Sequence, residues 1–331
     1  MTLSFIRYTI KPLLSLRHIV NEAALDISED PHFGTFDDMT NVTNLLTHEQ
    51  CEQFHRDGFL ILKNILPQAD VQPLIDELSQ WVEDGTKAAI SAGILEIGQQ
   101  FQDAPFSTRL SQVSTACSEP DWIWQNYFRH QKPRTAGMFI LRTSPPLLDA
   151  VESLIGPEIF AHPQFNFRAK LPGHQLTVIP WHQDLAYLIP EEAGETLVAN
   201  AWVPLVQANK ENGCMQIIRG SHKFGLFPHS RQNFTVGHTG NVGINEADLP
   251  DGEVVTAELE ISDILLTTER LVHRGLPNQS NTVRWSVDTR YCRIGLPTGR
   301  EQVPGFIARS RVDPTSITNS HQQWDHAFET V

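Results

Sequence analysis

The hydrophobic pattern changes along the chain, from helical spacing in the first third to alternating or unbroken apolar runs afterwards. Between residues 66 and 98, apolar side chains recur every three or four positions, which is the period of one helix face. The first set is Val71, Leu74, Ile75, Leu78 and Trp81, and the less regular second set is Ala88, Ile90, Ile94 and Ile97. We therefore predict two helices here that pack against the core.

Strand signals dominate the second half of the chain. Residues 176–181 and 261–268 are rich in β-branched and apolar side chains, and residues 282–291 alternate between two faces. In that run one face carries Arg284, Ser286, Asp288 and Arg290, and the other carries Trp285, Val287, Thr289 and Tyr291. The polar face lines a pocket or meets solvent, and for Asp288 and Arg290 we favour solvent.

Early helices followed by many short strands predict an α+β protein with a mainly β core. The expected architecture is a jelly roll, a double-stranded β-helix of the cupin type, braced by N-terminal and flanking helices. A length of 331 residues, with no Pro- or Ser-rich linker in the middle, favours one domain over residues 46–331. Residues 1–45 form an N-terminal extension in this prediction.

The composition excludes several classes of function. A net charge of −14 is unsuited to binding the phosphate backbone of nucleic acids, and it disfavours a highly anionic substrate. No apolar run approaches the roughly 20 residues that a membrane span requires. The four cysteines are widely spaced without a Cys-x-x-Cys pair, which argues against a zinc knuckle or a disulfide framework. Reduced, intracellular thiols are the simpler interpretation.

Two segments far apart in the chain carry residues that ligate metals. His182 and Asp184 are separated by one residue, so in an extended strand both side chains can reach one ion while Gln183 points away. His273 lies in the second segment, beside the predicted turn at residues 275–278. Two histidines and one carboxylate form a facial triad that leaves three metal positions open, which is typical of non-haem Fe(II) oxygenases.

An His-x-Asp pair is a weak signal by itself, because about one such pair is expected by chance in this composition. His55 and Asp57 have the same spacing, but they follow a capping-box pattern at Thr47 and Gln50. We place that pair on the surface at a helix end. The alternative for His182 is a structural histidine near a turn, although its apolar, β-branched surroundings favour a buried site.

Arg284 stands eleven residues after His273, on the polar face of the alternating run. A guanidinium group binds a carboxylate through paired, charge-assisted hydrogen bonds. Near a metal, Arg284 would therefore hold one end of a dicarboxylate.

The chain resembles the phytanoyl-CoA dioxygenase family of Fe(II)- and 2-oxoglutarate-dependent oxygenases. The similarity runs from residue 46 to residue 291 and is most specific at residues 181–184, at residues 220–223, and at His273 with Arg284. It implies that the Fe(II) ligands are His182, Asp184 and His273. It also implies that Arg284 pairs with the distal carboxylate of 2-oxoglutarate and that O2 is the second cosubstrate. Hydroxylation of a C–H bond is the implied default, with desaturation or ring closure as variants.

Some positions match the family less closely. Trp202 matches a tryptophan that follows the His-x-Asp strand, and Gln164 lies where relatives contact the cosubstrate; core packing is an equal alternative for both. Many relatives carry a small hydroxyl residue two positions after the distal histidine, whereas this chain has Gly275. One hydrogen bond to 2-oxoglutarate is therefore expected to be missing. Some relatives use an upstream lysine, and we assign no counterpart to it in this chain, because Lys132 and Arg134 lie in a segment that does not align with the family.

Three further segments bear on the substrate. Residues 104–142, 185–195 and 224–243 contain aromatic side chains that line an apolar pocket or pack in the core. We predict a small organic metabolite as substrate. The resemblance treats residues 220–223 as a shaped loop beside the site, so His222 is not assigned as a ligand.

Residues 1–45 have a character of their own, because Arg7, Lys11 and Arg17 precede the first acid, Glu22. This pattern resembles a mitochondrial transit peptide, and the alternative is an ordinary helix that packs on the barrel. We expect a cytoplasmic protein, with mitochondrial targeting as the alternative. Two other functions remain open from the sequence: a non-catalytic jelly roll that binds a metal or small ligand, and a hydrolase that uses another metal.

Overall fold

The computed structural model describes residues 46–128, 134–174, 177–232 and 241–329. The N-terminal extension predicted at residues 1–45 lies outside these ranges. The described helices are α1 His48–Asp57, α2 Gln68–Ser91, α3 Phe106–Ala116, α4 Ala136–Arg142, α5 Pro145–Ile155, α6 Pro190–Ala193 and α7 His321–His326. The described strands are β1 Phe59–Leu62, β2 Ile159–Ala161, β3 Asn166–Lys170, β4 Ile179–His182, β5 Ala199–Pro204, β6 Met215–Ile218, β7 Ser230–Gln232, β8 Asn241–Gly243, β9 Val254–Ala257, β10 Ile264–Thr268, β11 His273–Gly275, β12 Arg284–Arg293 and β13 Phe306–Arg309. The mixed helix and sheet class is confirmed.

The larger sheet has seven strands in the order β1-β10-β5-β12-β2-β13, with β3 paired to the first half of β12. All its pairings are antiparallel. The strand predicted at residues 282–291 is the centre of this sheet, because β12 pairs with β5 along one edge and with β3 and β2 along the other. Ser286 and Asp288 are therefore paired on both sides, while Arg284 is paired with β3 and Arg290 with β5.

The smaller sheet has four antiparallel strands in the order β4-β11-β6-β9. The chain passes between the two sheets repeatedly, since β5, β10 and β12 belong to the larger sheet while β6, β9 and β11 belong to the smaller one. A pocket lies between the two sheets, lined by His182 and His273 of the smaller sheet and by Trp202 and Arg284 of the larger one. The site described below lies between the sheets.

The apolar face of β12 packs against the helical part of the protein. Trp285 is fully buried and stacks on Phe106 of α3 at 4.7 Å between ring centroids. Phe167 of β3 meets Trp81 of α2 edge to face at 5.6 Å. Aromatic pairs in these geometries add about 0.5–1.5 kcal/mol each to the stabilisation from area burial. One face of the larger sheet is therefore fixed by helices while the other is left for the pocket.

The first predicted helix is confirmed, and the second is wrong. α2 runs without a break to Ser91, with Val71, Leu74 and Leu78 fully buried. Beyond it, Gly93 and Gly98 adopt φ values of 73° and 102°, which favour glycine and end helical structure. Ile97 is consequently 85% exposed and belongs to no core stripe.

The helix predicted from the capping box at Thr47 and Gln50 is confirmed, but the surface position predicted for Asp57 is wrong. Thr47 and Gln50 form the predicted capping box at the start of α1, and Gly58 ends the helix in the left-handed conformation. Asp57 is not a surface residue, because it is 3% exposed and pairs with Arg219 at 2.5 Å. Asp57 therefore belongs to a structural ion pair, and this second His-x-Asp pair is no metal site.

All four cysteines are buried and free. Among the described residues, no helix combines the length and the apolar character that crossing a membrane requires.

Candidate active site

Three potential metal ligands meet where the two sheets face each other. His182 is the last residue of β4, His273 is the first residue of β11, and the two are direct partners across the strand pair. Asp184 lies just beyond β4. Its carboxylate and the two imidazoles offer ligand atoms that all lie within 4.8 Å of one another, and all three residues are buried. Among the described residues, the sequence-predicted triad is the group brought together in this way.

The segment around His182 departs from the predicted strand at one point. β4 ends at His182, Gln183 is still extended, and Asp184 begins a 3-10 turn at Asp184–Tyr187. His182 Nε2 lies 3.7 Å from Asp184 Oδ1, so the extended conformation of Gln183 is enough to bring both side chains to one side. The Gln183 side chain points away and donates to the carbonyls of Gly225 and Arg270. That bond pattern holds the neighbouring loop.

Backbone carbonyls set the orientation of both histidines. His182 Nδ1 lies 2.9 Å from the Pro180 carbonyl oxygen, and His273 Nδ1 lies 2.9 Å from that of Leu271. A carbonyl oxygen only accepts, so each Nδ1 carries the hydrogen and each Nε2 keeps its lone pair. Burial, and then the neighbouring His182, lower the pKa of His273 to about 4, so its imidazole is neutral at physiological pH. Neutral imidazole is the form that binds a metal.

Asp184 is held by two side chains of the larger sheet. Asn200 Nδ2 donates to Oδ2 at 2.6 Å, and Arg290 Nη2 donates to Oδ1 at 2.8 Å. Burial would raise the pKa of Asp184, but the charge of Arg290 holds that pKa well below its usual value. The carboxylate is therefore ionised and fixed in place, ready to ligate a cation.

Arg290 and Asp288 are not solvent-facing, so the prediction for them is wrong. Arg290 is 3% exposed and bridges Asp184 to Asp288, whose Oδ2 lies 3.3 Å from Arg290 Nη1. Asp288 also accepts from Arg168 at 2.9 Å and from Asn166 at 2.8 Å. Arg284, Asp288 and Arg290 all line the pocket between the two sheets, so the polar face of β12 meets the pocket instead of bulk water. This network supports Asp184 from behind.

Arg284 lies on the same wall and has the opposite electrostatic situation. It is 1% exposed, and within the described residues its guanidinium group forms no ion pair; its one hydrogen bond goes to Ser286 Oγ. Its Nε is buried without a partner. Burial, and then Arg168, lower the pKa of Arg284 to about 10, so the group stays charged. A buried cation with free donors is the feature expected of a carboxylate-binding residue.

The remaining residues that the sequence analysis considered lie in or near the pocket, apart from His222. Trp202 lines the pocket and its ring lies 5.2 Å below the Arg284 guanidinium carbon, while it also packs in an apolar cluster. Gln164 lies behind the pocket; its carbonyl accepts from Arg290 at 3.4 Å and its side-chain oxygen is buried without a partner. Gly275 lines the pocket. His222 is away from the triad and bonds to the His55 carbonyl. The roles of Trp202 and Gln164 stay predictions.

Of the two upstream cationic candidates, the described one, Arg134, does not reach the site. Arg134 pairs with Asp325 at 2.5 Å near the C-terminal helix, and Lys132 lies outside the described residues. The aromatic residues of the segments expected to select the substrate lie partly beside the triad and partly in the core. Tyr187 stands edge to face with His182 at 5.5 Å, whereas Trp124 stacks on Phe128 in the core.

Three residues of the site were not singled out from the sequence as site residues: Asn200, Arg290 and Lys170. Asn200 and Arg290 sit opposite each other on β5 and β12, and Lys170 sits opposite Arg284 on β3 and β12. Directly opposed residues share a face of the sheet. The alternation Asn166, Arg168, Lys170 gives a polar face to β3, and pairing that face with β12 would have indicated these residues.

Comparison with known proteins agrees with this geometry. The sequence profile described as phytanoyl-CoA dioxygenase (PhyH) matches residues 54–286. The human peroxisomal phytanoyl-CoA dioxygenase is 28% identical over 188 residues, which are 56% of this chain and 50% of the human protein. The 1-deoxypentalenic acid 11-beta-hydroxylase of Streptomyces arenae is 26% identical over 268 residues, covering 77% of this chain and 85% of that protein.

The fold is shared with a solved structure. EctD from S. alaskensis, crystallised with 2-oxoglutarate and 5-hydroxyectoine, has a TM-score of 0.51 at 17% sequence identity, covering 82% of this chain and 86% of that one. The family profile covers well over half of the sequence and includes every predicted metal ligand and Arg284. The chain therefore belongs to the phytanoyl-CoA dioxygenase family of iron- and 2-oxoglutarate-dependent oxygenases, as its sequence motifs indicated.

Proposed function

We propose that this chain is an Fe(II)- and 2-oxoglutarate-dependent dioxygenase that oxidises an unactivated C–H bond of a small organic metabolite. The observation that carries the proposal is one pocket that joins the His182, Asp184 and His273 side chains to a buried Arg284 without a carboxylate partner. Metal ligands alone fit many chemistries. A metal-binding triad beside a buried arginine that has no carboxylate partner is much more specific, because the arginine can bind the far carboxylate of 2-oxoglutarate.

The side chains fit Fe(II) in donor type and in protonation. Two imidazole nitrogens with free lone pairs and one ionised carboxylate provide the facial donor set typical of non-haem iron. When bound, Fe(II) with 2-oxoglutarate and O2 supplies the oxidising chemistry, in which the cosubstrate becomes succinate and carbon dioxide. The protein supplies position, charge and shielding.

The protein's own residues have distinct tasks in this proposal. Arg290 and Asn200 keep the Asp184 carboxylate ionised and oriented. Arg284 binds the distal carboxylate of 2-oxoglutarate through its free N–H groups, with the Trp202 ring beneath the guanidinium. Ile217 and Leu265 add apolar walls between the sheets and limit the access of water.

Hydroxylation is the reaction that we propose first. The relatives named above act on different molecules, a phytanoyl-CoA and 1-deoxypentalenic acid by their names, so they support a small-molecule substrate without selecting one. Desaturation or ring closure would follow if the substrate carbon is held in a different position. Tyr187, next to His182, is the aromatic residue best placed to set that position.

The proposed architecture is a double-stranded β-helix within one domain, residues 46–331. Its support is the pair of facing antiparallel sheets and the repeated passage of the chain between them. The N-terminal extension is proposed as a separate segment. Four buried thiols without a disulfide support a reducing, cytoplasmic environment.

The test is consumption of 2-oxoglutarate by the Fe(II)-loaded protein in the presence of O2, ascorbate and a broad set of small candidate substrates. We expect succinate, followed by NMR, and we expect its loss in His182→Ala and Arg284→Ala. Arg274→Ala is the matched control, because Arg274 adjoins His273 in sequence but bonds to Gln216 and lies over the Trp181 ring.

Two outcomes would contradict the proposal. Iron binding with no 2-oxoglutarate consumed under any condition would indicate a non-catalytic binding protein. A product formed without 2-oxoglutarate, and retained in Arg284→Ala, would indicate a metal-dependent hydrolase on the same scaffold.

A further inference from the structure

Arg142, the last residue of α4, is a fully buried arginine on the face of β12 that points away from the pocket. Its Nε donates to Thr289 Oγ1 at 2.9 Å, and its Nη2 donates to the His162 carbonyl oxygen at 2.7 Å. Both acceptors are neutral groups, and within the described residues Arg142 forms no ion pair. Arg142 is therefore a buried cation that only neutral groups hold.

Three aromatic rings surround the Arg142 guanidinium group. Its carbon atom lies 4.6 Å from the ring centroid of Phe165, 4.9 Å from that of Phe306 and 4.8 Å from that of Trp324. A ring face attracts a cation, but the ring has no net charge and does not neutralise it. Burial lowers the pKa of Arg142 to about 10, so the guanidinium group still carries its charge at physiological pH.

Arg309 on β13 shows the contrasting arrangement. Its guanidinium group pairs with Asp149 at 2.7 Å and with Glu152 at 2.6 Å. Burial of a charge costs free energy unless an opposite charge compensates it. Among the described residues no carboxylate does this for Arg142, so the protein leaves that cost in place.

Two N–H groups of the aromatic cluster lack an acceptor. Arg142 Nη1 and Trp324 Nε1 are both buried without a hydrogen-bond partner among the described residues. Their side chains are 0% and 1% exposed, and they contact each other. Buried donors in proteins are nearly always paired. Two orphaned donors in contacting side chains, one of them charged, indicate a shared acceptor with negative charge.

We propose that Arg142 and Trp324 bind one halide-sized inorganic anion, for which chloride is the natural candidate, between Arg142 Nη1 and Trp324 Nε1. A single-atom anion has no directional lone pairs to align, so it can accept from both N–H groups. The site would join α7, which carries Trp324, to α4 and β12. Thr289 directly precedes Arg290, so the anion would stabilise the back of the strand that holds Asp184. This site goes beyond the proposed function and does not depend on it.

The test measures the thermal stability of the full-length chain, without added metal, while chloride replaces gluconate at constant ionic strength. Constant ionic strength keeps the screening of surface charges equal. Gluconate is a large organic anion and should not substitute for chloride. An anion that binds only the folded protein raises Tm with its concentration, so we expect about 2–4 °C for each tenfold rise in chloride above its Kd.

Two variants and one control tie this response to the proposed site. Trp324→Phe keeps the aromatic packing but removes one donor, so the Kd of chloride should rise by about tenfold or more, the scale for a hydrogen bond to a charged group. Arg142→Met removes the cation and should abolish the response. Arg309→Met is the matched control, because carboxylates already neutralise Arg309, and it should keep the wild-type response. Trp324→Phe carries the test if Arg142→Met does not fold.

A crystal grown in bromide locates the anion directly. We expect an anomalous-scattering peak in contact with both Arg142 Nη1 and Trp324 Nε1. A Tm that does not respond to chloride, or that responds equally in the wild type and Trp324→Phe, would overturn the inference, and water would then be the partner of the two donors. A response lost in Arg284→Ala but kept in Trp324→Phe would also overturn it, because the anion would then lie in the pocket. No readout uses iron or 2-oxoglutarate, so failure here leaves the proposed function untouched.

Discussion

The two ends of the pocket differ in how their charges are balanced. At the metal end, the buried Asp184 pairs with Arg290 at 2.8 Å, and the half-buried Asp288 pairs with Arg168 at 2.9 Å. At the far end, Arg284 and Lys170 are paired across two strands and form no ion pair among the described residues. Both ends are buried, so solvent does not explain the difference.

This contrast teaches which part of the site is complete within the protein. The metal end is organised before any ligand arrives, since its charges already neutralise one another and its histidines are oriented by the backbone. The far end carries an unrelieved electrostatic cost that a dicarboxylate would remove. A ligand site commonly lowers the stability of the unliganded protein, because its buried polar groups find their partners only when the ligand binds.

The largest effect should come from breaking the metal end at its carboxylate. Asp184→Asn removes the charge that the metal and Arg290 share, so we expect metal affinity to fall by more than about a hundredfold, beyond the usual loss for an outer-sphere partner. Calorimetry with Fe(II) under anaerobic conditions measures it. Asp57→Asn is the matched control, since Asp57 has the same His-x-Asp spacing and a buried ion pair. It should cost about 1–3 kcal/mol of stability with metal affinity unchanged; equal losses in both variants would refute the assignment.

A smaller effect should follow from loosening the support of that carboxylate. Arg290→Gln keeps the ligand set but removes the charge that orients Asp184, so metal affinity should fall by about tenfold to a hundredfold. Arg168→Gln is the control, because Arg168 bonds to Asp288 and not to Asp184. Similar losses in the two variants would mean that the network acts only through overall stability.

The unliganded protein should become more stable when the buried amine of Lys170 at the far end of the pocket is replaced by an apolar side chain. Without ligand, Lys170→Met should raise the free energy of unfolding by about 1–4 kcal/mol near pH 6.5, because the wild-type lysine must lose its proton when it is buried and methionine carries none. The pKa of Lys170 falls from the ordinary 10.5 to about 6 on folding, so between these pH values the unfolded chain binds more protons. Wild-type stability should therefore rise with pH through this window, and the gap to Lys170→Met should narrow towards pH 10.

Urea unfolding of both proteins at pH 6.5 and pH 9 measures this gap. The comparison cancels every other titrating group that the variant leaves unchanged. A Lys170→Met protein that is less stable at pH 6.5, or a gap that does not depend on pH, would show that the far end carries no such cost.

The smallest effect concerns Trp202, for which cofactor contact and core packing are both still open. Trp202→Phe keeps an aromatic ring below Arg284 with a weaker attraction for the cation, so the Kd of 2-oxoglutarate should rise by about threefold. Calorimetry on the iron-loaded protein measures it. A change in stability with the Kd unaltered would assign Trp202 to packing alone.

The comparison also explains what the sequence could predict. The spacing of His182 and Asp184 and the alternation through Arg284 follow from local strand geometry, and both predictions hold in outline. Whether a polar strand face meets water depends on what packs over that face, so Arg290 was assigned to solvent although it is buried in the pocket between the two sheets. Burial of Lys170 depends on the passage made by Gly213 and Gly275, which is a property of tertiary packing. No local pattern contains that information.

The most direct test of the account is the visible absorption of the anaerobic, Fe(II)-loaded protein before and after addition of 2-oxoglutarate. We predict a new, weak visible band in the wild type, because the keto-acid end of the cosubstrate would meet an iron held by the triad. The band should be absent in His182→Ala and weaker in Arg284→Ala at the same 2-oxoglutarate concentration. No band in the wild-type protein, with iron bound, would contradict the central claim that the two ends of this pocket together form a 2-oxoglutarate site.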